Sequence, residues 1–569
     1  MFNKFYSRGK NFVATPQTTV LSAAVVIMTM VMFSTILGLV RQRLFLHFFK
    51  PEELSLFLAA FRLPDLVFQV LAYGMFSSAF IPVFTKTYKK DPKLAFETSS
   101  KVLSISLVLF LLFAALFMMF AEYIYGVFAP GYSPAEIKKI VELARILIVA
   151  QCFFVASYVM TGVLESTRRF LVPALAPIFY NLGIILTTIL LTQDFHLMAP
   201  AVGAVIGAFL HLAIQLPTAR SVGFRFRLDI FPNAQVKKVG KLALPRVVEL
   251  LFLEASKISE LFLTSIIASA ALTYYSLADS LRTLPVTLFG VSLAKAALPT
   301  LASQEDDPAK FKKTFLSTLY QIEFLVIPVA TLLIVLRIPV VRILFGTDIF
   351  NWEATVQTGM VLSAFALSVP FQSASTLLSR AFYATHDTKT PVKLSIAGVA
   401  ISFIIGVYLV FLKGYPTWAL AFAYSVGMMI QSTSLYVILS RRLNGGTIFA
   451  VGPIIKSTTA SVLSGLTMFF IIKFFDRSVW VKRLSFLGNI KSAESLNFES
   501  FVVDTRYTGN LIALTVATAL IGIFVYVLVS YLFRSKELFA LFRLVSKRSL
   551  AGPGPKEAEY LTRSSTENP

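Results

Sequence analysis

The sequence predicts an all-α polytopic membrane protein with 14 transmembrane helices. Of its 569 residues, 56% are hydrophobic and only 14% are charged, whereas about a quarter of the residues in a soluble domain are charged. Apolar runs long enough to cross a bilayer recur from end to end, and basic residues gather in alternate loops between them. These three observations give no support to a soluble catalytic domain.

Hydropathy and the proline-containing or polar segments between apolar runs divide the chain into spans. The spans are predicted at 18–40, 55–84, 102–121, 141–164, 171–193, 198–218, 243–269, 275–302, 315–336, 355–384, 391–412, 417–440, 453–474 and 508–533. The first apolar run ends at Arg41 without a small-residue cleavage site, so we expect it to remain as a helix rather than to act as a signal peptide.

The net charge of +22 is interpreted as a signal of orientation, not of nucleic-acid binding. Lys and Arg concentrate in the cytoplasmic loops of membrane proteins, and here one set of alternate segments holds many more of them than the other. An even number of spans then places both termini in the cytoplasm. We expect no nucleic-acid partner.

An internal repeat divides the first twelve spans into two lobes of six. Four proline landmarks recur at offsets of 216 to 221 residues. Their common order and spacing favour two homologous lobes of the same topology, related by an axis along the membrane normal, with a substrate site between them. The landmark pairs are Pro64 and Pro285, Pro82 and Pro299, Pro92 and Pro308, and Pro173 and Pro391.

The repeat predicts four regions. Residues 1–225 form the N-terminal lobe with spans 1–6, and residues 226–445 form the C-terminal lobe with spans 7–12. Residues 446–535 hold spans 13 and 14. Residues 536–569 form a cytoplasmic tail that begins as a basic amphipathic stretch and becomes rich in Gly, Pro and Ser, a composition typical of disorder.

Span seven carries the densest set of charges at membrane depth. A charge there is costly unless it faces the bundle interior, a water-filled cavity or a partner. Spacings of three and four residues place Arg246, Glu249, Lys257 and Glu260 on one helix face, and Lys257 can pair with Glu254 or Glu260. Either these charges clamp helices together, or they form a cavity wall that contacts a polar substrate or a coupling ion.

Arginines are the candidate ligands for an anionic head group, because a guanidinium binds phosphate in bidentate geometry. Arg62 and Arg282 each closely precede a Leu-Pro landmark, so the repeat predicts that they face each other across a central cavity. Arg41 and Arg43 at the end of the first span, and Asp279 near Arg282, complete the predicted substrate-binding residues.

Metal and nucleotide chemistry have no support in the sequence. The four His and one Cys lack the spacing of a metal site, and no phosphate-binding loop for ATP hydrolysis is present. His211 and Gln215, one turn apart, are interpreted as an interhelical hydrogen-bonding pair. The lone Cys152 cannot form a disulfide within one chain.

Seven ordered motifs resemble one known family. They are Leu37-Gly38-x-x-Arg41, Ala60-Phe61-Arg62-Leu63-Pro64, Gly74-x-Phe76-Ser77-x-Ala79-Phe80-x-Pro82, Arg169-Phe170-x-x-Pro173 with Asn181, Gln215-Leu216-Pro217, Tyr275-x-x-Ala278-Asp279, and Arg380-Ala381-Phe382-Tyr383-Ala384-x-x-Asp387-Thr388-x-Thr390-Pro391. Over roughly residues 20–535, the chain resembles the MurJ (MviN-like) lipid II flippases of the MOP exporter superfamily.

The resemblance implies a MATE-like fold in which two lobes form a V around a cationic cavity. Spans 13 and 14 would form a groove for a polyprenyl tail. The implied activity is the transfer of lipid II, an undecaprenyl-pyrophosphate-linked saccharide, from the inner to the outer leaflet of the bacterial inner membrane by alternating access. Such a protein is a transporter of peptidoglycan biosynthesis and cell-wall biogenesis that supports cell shape, and it is not an enzyme.

Several positions depart from the charges that the resemblance implies. The family's first span typically reads Ser-Arg-x-Leu-Gly-x-x-Arg-Asp, and of those three charges only Arg41 is retained here. Arg282 lies two positions from Ser280 and Arg43 lies two positions from Arg41, but a helix turns about 200° over two residues, so compensation is not automatic. The neutral residues at the family's charged positions are Thr35, Gln42, Ser55, Phe68, Gln69, Tyr73 and Ser280.

The leading hypothesis is therefore a lipid II flippase that works without ATP. One alternative is an exporter of another polyprenyl-linked saccharide or of organic cations, which the acidic residues of spans seven and eight would suit. Another is a transport-inactive scaffold in the cell envelope. We expect no cofactor, a driving force from Na⁺, H⁺ or the membrane potential, and a monomer among membrane lipids that contacts the cell-wall synthesis machinery.

Overall fold

The computed structural model describes residues 20–70, 79–444, 451–475 and 507–540. Within these ranges the chain is helical and contains no strand. Two π-helical segments, Val286–Val291 and Tyr408–Leu412, follow α10 and α16. The helices are α1 Val20–Phe48, α2 Pro51–Phe68, α3 Ile81–Tyr88, α4 Pro92–Phe128, α5 Pro134–Ser166, α6 Leu171–Phe195, α7 Met198–Ala213, α8 Leu216–Ser221, α9 Ala234–Ile267, α10 Ala271–Pro285, α11 Ser292–Ala302, α12 Pro308–Val335, α13 Arg337–Phe345, α14 Trp352–Ala366, α15 Ser368–Ala384, α16 Lys389–Val407, α17 Trp418–Asn444, α18 Gly452–Phe475 and α19 Thr508–Leu532.

The described helices confirm a multi-pass helical membrane protein. They form eleven segments that are long and apolar enough to cross a membrane, some of them made of consecutive helices such as α7 and α8. The bent pair of α14 and α15 (41°) would bring the number to twelve. The predicted second span is interrupted by residues 71–78, which lie outside the described residues. The predicted seventh span, α9, has 34 residues, but it is not among these segments, because it carries more charged residues than they do. The total of 14 stays a prediction.

Helix starts are repeated between the two lobes. Asp91 caps α4 by accepting a hydrogen bond from the Leu94 amide at 3.1 Å, and Asp307 caps α12 by accepting one from the Lys310 amide at 3.1 Å. A proline follows each aspartate at the first helical position, where its missing N–H has no intrahelical partner to lose. The same local sequence thus begins the third predicted span of each lobe.

Left-handed backbone turns are also repeated. Arg168 (φ 60°) and His386 (φ 59°) lie 218 residues apart, and so do His196 (φ 47°) and Gly414 (φ 64°). Only a few per cent of residues other than glycine adopt positive φ, so two matched pairs are unlikely to arise independently. The turns support the homology of the two lobes more strongly than the prolines that predicted it.

The described residues divide into two compact units that differ from the predicted regions, whose boundaries stay predictions. The first unit contains the described residues of Met1–Leu281, Val341–Phe365 and Val392–Gly427. The second contains the described residues of Arg282–Val340, Ala366–Pro391 and Met428–Pro569. Each unit is described by itself below.

In the first unit, glycines allow α6 and α7 to pack with their backbones close together. A Cβ atom added at Gly183 would lie 2.6 Å from the Cα atom of Gly207, so only glycine fits there. Small residues permit such close approach between membrane helices. The packing fixes α6, which carries Tyr180 and Asn181, both near the first span.

In the second unit, α12 packs against α18 and α19. The Tyr526 hydroxyl donates to the Phe324 carbonyl at 2.7 Å, and the Ser464 hydroxyl donates to the Gly522 carbonyl at 2.6 Å. Large apolar side chains such as Phe470 and Phe524 remain exposed on this helix pair. The role of these helices as a groove for a lipid tail stays a prediction.

Candidate substrate site

Arg41 lies between two aromatic rings in the first unit. Asn181 on α6 donates to the backbone carbonyl and to the side-chain oxygen of Ser34 on α1, each at 3.3 Å. This contact brings the Tyr180 ring to 6.0 Å from the Arg41 guanidinium, and the Phe45 ring lies at the same distance. The Nε atom of Arg41 is buried without a hydrogen-bond partner. Arg41 therefore has donor capacity left for an anionic group.

Arg62 connects α2 with α9. Its Nη2 atom lies 3.3 Å from Oε2 of Glu260, and both side chains are 22% exposed. The repeat predicted Arg62 as a substrate ligand, and sequence reasoning did not identify this partner. Because the pair is partly exposed, an anionic ligand could compete with the carboxylate for the guanidinium.

Lys257 makes a second bridge between the same helices. Its Nζ atom lies 3.0 Å from Oε2 of Glu254, as predicted, and 3.7 Å from Oδ2 of Asp65 on α2. The contact between Lys257 and Glu254 is an ion pair and not a hydrogen bond, because Oε2 of Glu254 has no hydrogen-bond partner. The two bridges show that charges of α9 clamp it to α2. The side chains of Arg246 and Glu249 lie outside the described residues.

The described charges of this region balance one another. Arg62 and Lys257 face three carboxylates, and Arg41 adds a third cation. Tyr180 interacts electrostatically with both Arg41 and Asp65, which places the Arg41 group beside the α2–α9 bridges. Within the described residues this region is polar and of mixed sign, and the cationic cavity that the resemblance implied stays a prediction.

Arg282 lies in the second unit and is 6% exposed. Its Nη1 atom donates to Oε1 of Gln372 at 2.6 Å, which connects α10 with α15. Asp279, half-buried, belongs to the first unit. The prediction that Arg62 and Arg282 face each other stays a prediction.

Arg43 is exposed and binds the end of another helix. Its Nη1 atom donates to the carbonyls of Ile343 and Leu344, the latter at 3.2 Å. Carbonyls in the last turn of a helix such as α13 have no intrahelical donor, so Arg43 caps that turn. A cavity of about 400 Å³ opens beside Arg43 and is lined also by His47 and Asp348. The substrate role of Arg43 stays a prediction.

Three of the positions that depart from the family pattern form neutral contacts within the first unit. Oε1 of Gln42 accepts a hydrogen bond from the Ser280 hydroxyl at 3.2 Å. The buried Ser55 hydroxyl accepts from the Thr273 amide at 3.1 Å and lies 2.9 Å from the Thr273 hydroxyl. Neutral hydrogen bonds thus connect the helices where the resemblance implied charges.

The other departing positions have local roles. Phe68 is buried, with its ring 5.2 Å from that of Tyr158. The Thr35 hydroxyl donates to a carbonyl one turn earlier in its own helix. Gln69 begins a π-helical turn after α2, and Tyr73 lies outside the described residues.

His211 and Gln215 form the predicted interhelical contact. Ser157 on α5 joins them, with its hydroxyl 2.6 Å from Nδ1 of His211 and 2.7 Å from Nε2 of Gln215. Across the described ranges, no group of three or more His, Cys, Asp or Glu side chains is close enough to hold a metal ion.

Comparison with known proteins identifies the family. The model of the family described as "Lipid II flippase MurJ" matches residues 47–488, well over half of the chain. The chain belongs to the MurJ family. The match contains α2, α9 and α10, which carry Arg62, Glu260 and Arg282.

Curated relatives agree with this family. A protein of Thermotoga maritima named "Probable lipid II flippase MurJ" is 26% identical over 518 residues, which cover 90% of this chain and 96% of the relative. A protein of the same name from Buchnera aphidicola is 28% identical over 422 residues, 71% of this chain and 80% of the relative.

Solved structures show the same fold. "Lipid II flippase MurJ, inward closed conformation" superposes with a TM-score of 0.73 at 22% identity, covering 90% of this chain and 98% of that one. An inward-facing multidrug resistance MATE transporter of the MOP superfamily gives a TM-score of 0.59 at 15% identity, covering 74% and 98%. The predicted MOP/MATE-like fold is confirmed.

Proposed function

We propose that the protein is a flippase that moves lipid II, the undecaprenyl-pyrophosphate-linked peptidoglycan precursor, from the inner to the outer leaflet of the bacterial inner membrane. Membership of the MurJ family and the shared fold support this proposal. The protein acts by alternating access as a transporter, not as an enzyme, and both of its termini lie in the cytoplasm.

Beyond family membership, the proposal rests on one observation: the Arg41 guanidinium has donor capacity that no protein group uses. Its buried Nε donor has no partner, and the flanking rings of Phe45 and Tyr180 stabilise a cation without neutralising it. A pyrophosphate group provides the charge and the acceptor oxygens that this donor lacks. Arg62 contributes a second contact when pyrophosphate displaces the Glu260 carboxylate.

Displacement of Glu260 also suggests how transport is driven. A carboxylate released from Arg62 at membrane depth is costly to leave charged, so it takes up H⁺ or binds Na⁺. Glu249 and Glu254 on the same helix are further candidates for this coupling cation. The protein works without a cofactor, as a monomer among membrane lipids, and it delivers its substrate to the cell-wall synthesis machinery.

A second candidate function is export of organic cations or of a different polyprenyl-linked saccharide. The α2–α9 bridges favour the cation, because Asp65, Glu254 and Glu260 outnumber Arg62 and Lys257. An organic cation would bind these carboxylates and would not need Arg41.

Complementation of a flippase-depleted bacterium tests the proposal, with lipid II on the outer leaflet as the readout. The wild-type chain should restore lipid II export, and Arg41→Ala should abolish it without loss of folded protein. Arg441→Ala, which removes an exposed arginine at the end of α17, is the matched control and should export normally. Export by Arg41→Ala at the wild-type rate would overturn the proposed role of Arg41. A folded wild-type chain that exports no lipid II would favour the cation exporter or the scaffold.

A further inference from the structure

The segment of residues 224–231 between α8 and α9 exposes a row of large apolar side chains. The exposed fractions are 49% for Phe226, 75% for Leu228, 49% for Ile230 and 77% for Phe231. Contiguous exposed apolar side chains of this size indicate an interaction surface. We refer to residues 224–231 as the anchor segment.

Polar side chains of α4 hold the anchor segment in place. The Ser100 hydroxyl accepts from the Arg227 amide at 2.6 Å, and the Ser104 hydroxyl accepts from the Asp229 amide at 3.2 Å. Lys101 lies 2.8 Å from the Asp229 carboxylate, and its hydrogen bond lowers the pKa of Asp229. Asp229 therefore points toward α4. Phe226, Leu228, Ile230 and Phe231 are each at least 49% exposed, so they do not pack against α4 as Asp229 does.

The contacts with α4 also set the depth of the anchor segment. On α4, large apolar side chains are exposed from Val108 to Phe120, as expected for a surface that faces lipid tails. Ser104 lies four residues before Val108, or about 6 Å along the helix axis. Interfacial segments insert their apolar side chains about 5–10 Å into the boundary between head groups and acyl chains. The anchor segment lies at that level.

Charge identifies the occupant of this surface. Arg225 and Arg227 are exposed within the anchor segment, and Arg220 is exposed just before it. Cations beside apolar side chains at this depth are complementary to a leaflet of anionic phospholipids. A protein partner would not require the cations to lie at the depth of the lipid head groups.

We propose that the anchor segment inserts Phe226, Leu228, Ile230 and Phe231 into an anionic leaflet while Arg225 and Arg227 bind lipid phosphates. The leaflet is the one on the side that the basic loops predict to be cytoplasmic. This inference is independent of the transported substrate, so it would hold equally for the alternative exporters.

Depth-dependent fluorescence quenching tests the anchor. The full chain with Cys152→Ala, which removes its one cysteine, receives Leu228→Cys and an environment-sensitive label. The protein is placed in vesicles of phosphatidylcholine and phosphatidylglycerol, with and without a doxyl quencher near the top of the acyl chain. Asp306→Cys in the exposed loop between α11 and α12 is the matched control. Phe231→Cys is a second position for the same measurement.

The labels at positions 228 and 231 should be quenched about twofold more than the label at position 306, as expected for an inserted segment. Arg225→Gln with Arg227→Gln should reduce this quenching toward the value in phosphatidylcholine alone. Equal quenching at 228 and 306, with full access of aqueous iodide to both, would overturn the proposal. Shielding of position 228 in native membranes but not in the lipid vesicles would also overturn it, because a protein would then be the occupant.

Discussion

Arg62 and Arg282 each closely precede the Leu-Pro pair of their lobe, yet their guanidinium groups have different surroundings. Arg62 is partly exposed and pairs with the carboxylate of Glu260 on another helix. Arg282 is buried and donates to the neutral amide of Gln372. The backbone around the two sites is alike, since each lobe has a π-helical turn after its Leu-Pro pair.

The repeat preserves backbone geometry more closely than electrostatics. Prolines, helix caps and left-handed turns recur because the same helix breaks are needed in both lobes. Side-chain partners come from helices that differ between the lobes, so these two arginines acquire different partners. A similar place in the repeat therefore does not imply equal function.

The largest expected effect comes from Arg282→Ala. It removes a buried guanidinium and leaves Gln372 without this donor, which should cost about 3 kcal/mol of unfolding free energy. Thermal unfolding in detergent measures this loss. Arg282→Met keeps roughly the side-chain volume but removes the charge, so it separates a structural role from a role in substrate binding. If this variant remains stable but loses export, the charge serves the substrate. An unchanged melting temperature for Arg282→Ala would contradict a structural role for the buried arginine.

Removing the equivalent helix cap in each lobe should cost the same stability, because the backbone at the two caps is alike. Asp91→Ala and Asp307→Ala each remove a capping acceptor, and each should cost about 1 kcal/mol. Hydrogen exchange in the first turns of α4 and α12 measures the effect locally. A cost several times larger in one lobe would show that the caps are not equivalent.

The pair of Arg62 and Glu260 should couple weakly. Both side chains are 22% exposed, and partly exposed ion pairs contribute about 0.5–1 kcal/mol. A double-mutant cycle with Arg62→Gln and Glu260→Gln measures the coupling from unfolding free energies. If pyrophosphate displaces Glu260, Arg62→Gln should reduce export more than Glu260→Gln does. The reverse order would favour a cationic substrate.

The last prediction depends on pH and concerns the loops before α6 and α16. The amide and hydroxyl of Thr390, with Arg442, hold the pKa of Asp387 at about 2, below its usual 3.8. The ionised form therefore stabilises the second lobe above pH 3.8, and the contribution disappears as the pH falls toward about 2. Wild-type protein should be more stable than Asp387→Asn at neutral pH, and the two should converge in that interval.

The first lobe offers the control for this titration. Arg169 occupies the position equivalent to Asp387 and carries a guanidinium in place of the carboxylate. Arg169→Gln should therefore differ from wild type by an amount that does not change between pH 3.8 and about 2. A difference that varies with pH as steeply as that of Asp387→Asn would contradict the assignment to Asp387.

The sequence predicted the helices and the repeat, because both depend on short-range patterns of apolar residues and proline. It also predicted Lys257 beside Glu254, one turn away on the same helix. It did not identify Glu260 as the partner of Arg62, 198 residues away, because such contacts depend on how helices pack. Tyr180 was missed as a neighbour of Arg41, although the motif residue Asn181 next to it was a usable signal.

Helix α9 has a consequence for how the protein enters the membrane during synthesis. Each charge at the centre of an inserting helix costs about 2.5–3.5 kcal/mol on insertion scales, so α9 alone is a poor candidate for release into lipid. Its partners Arg62 and Asp65 are on α2, which leaves the ribosome long before α9. The early helices thus provide the charges that α9 needs. A chain beginning at residue 226 should leave this helix at the membrane surface.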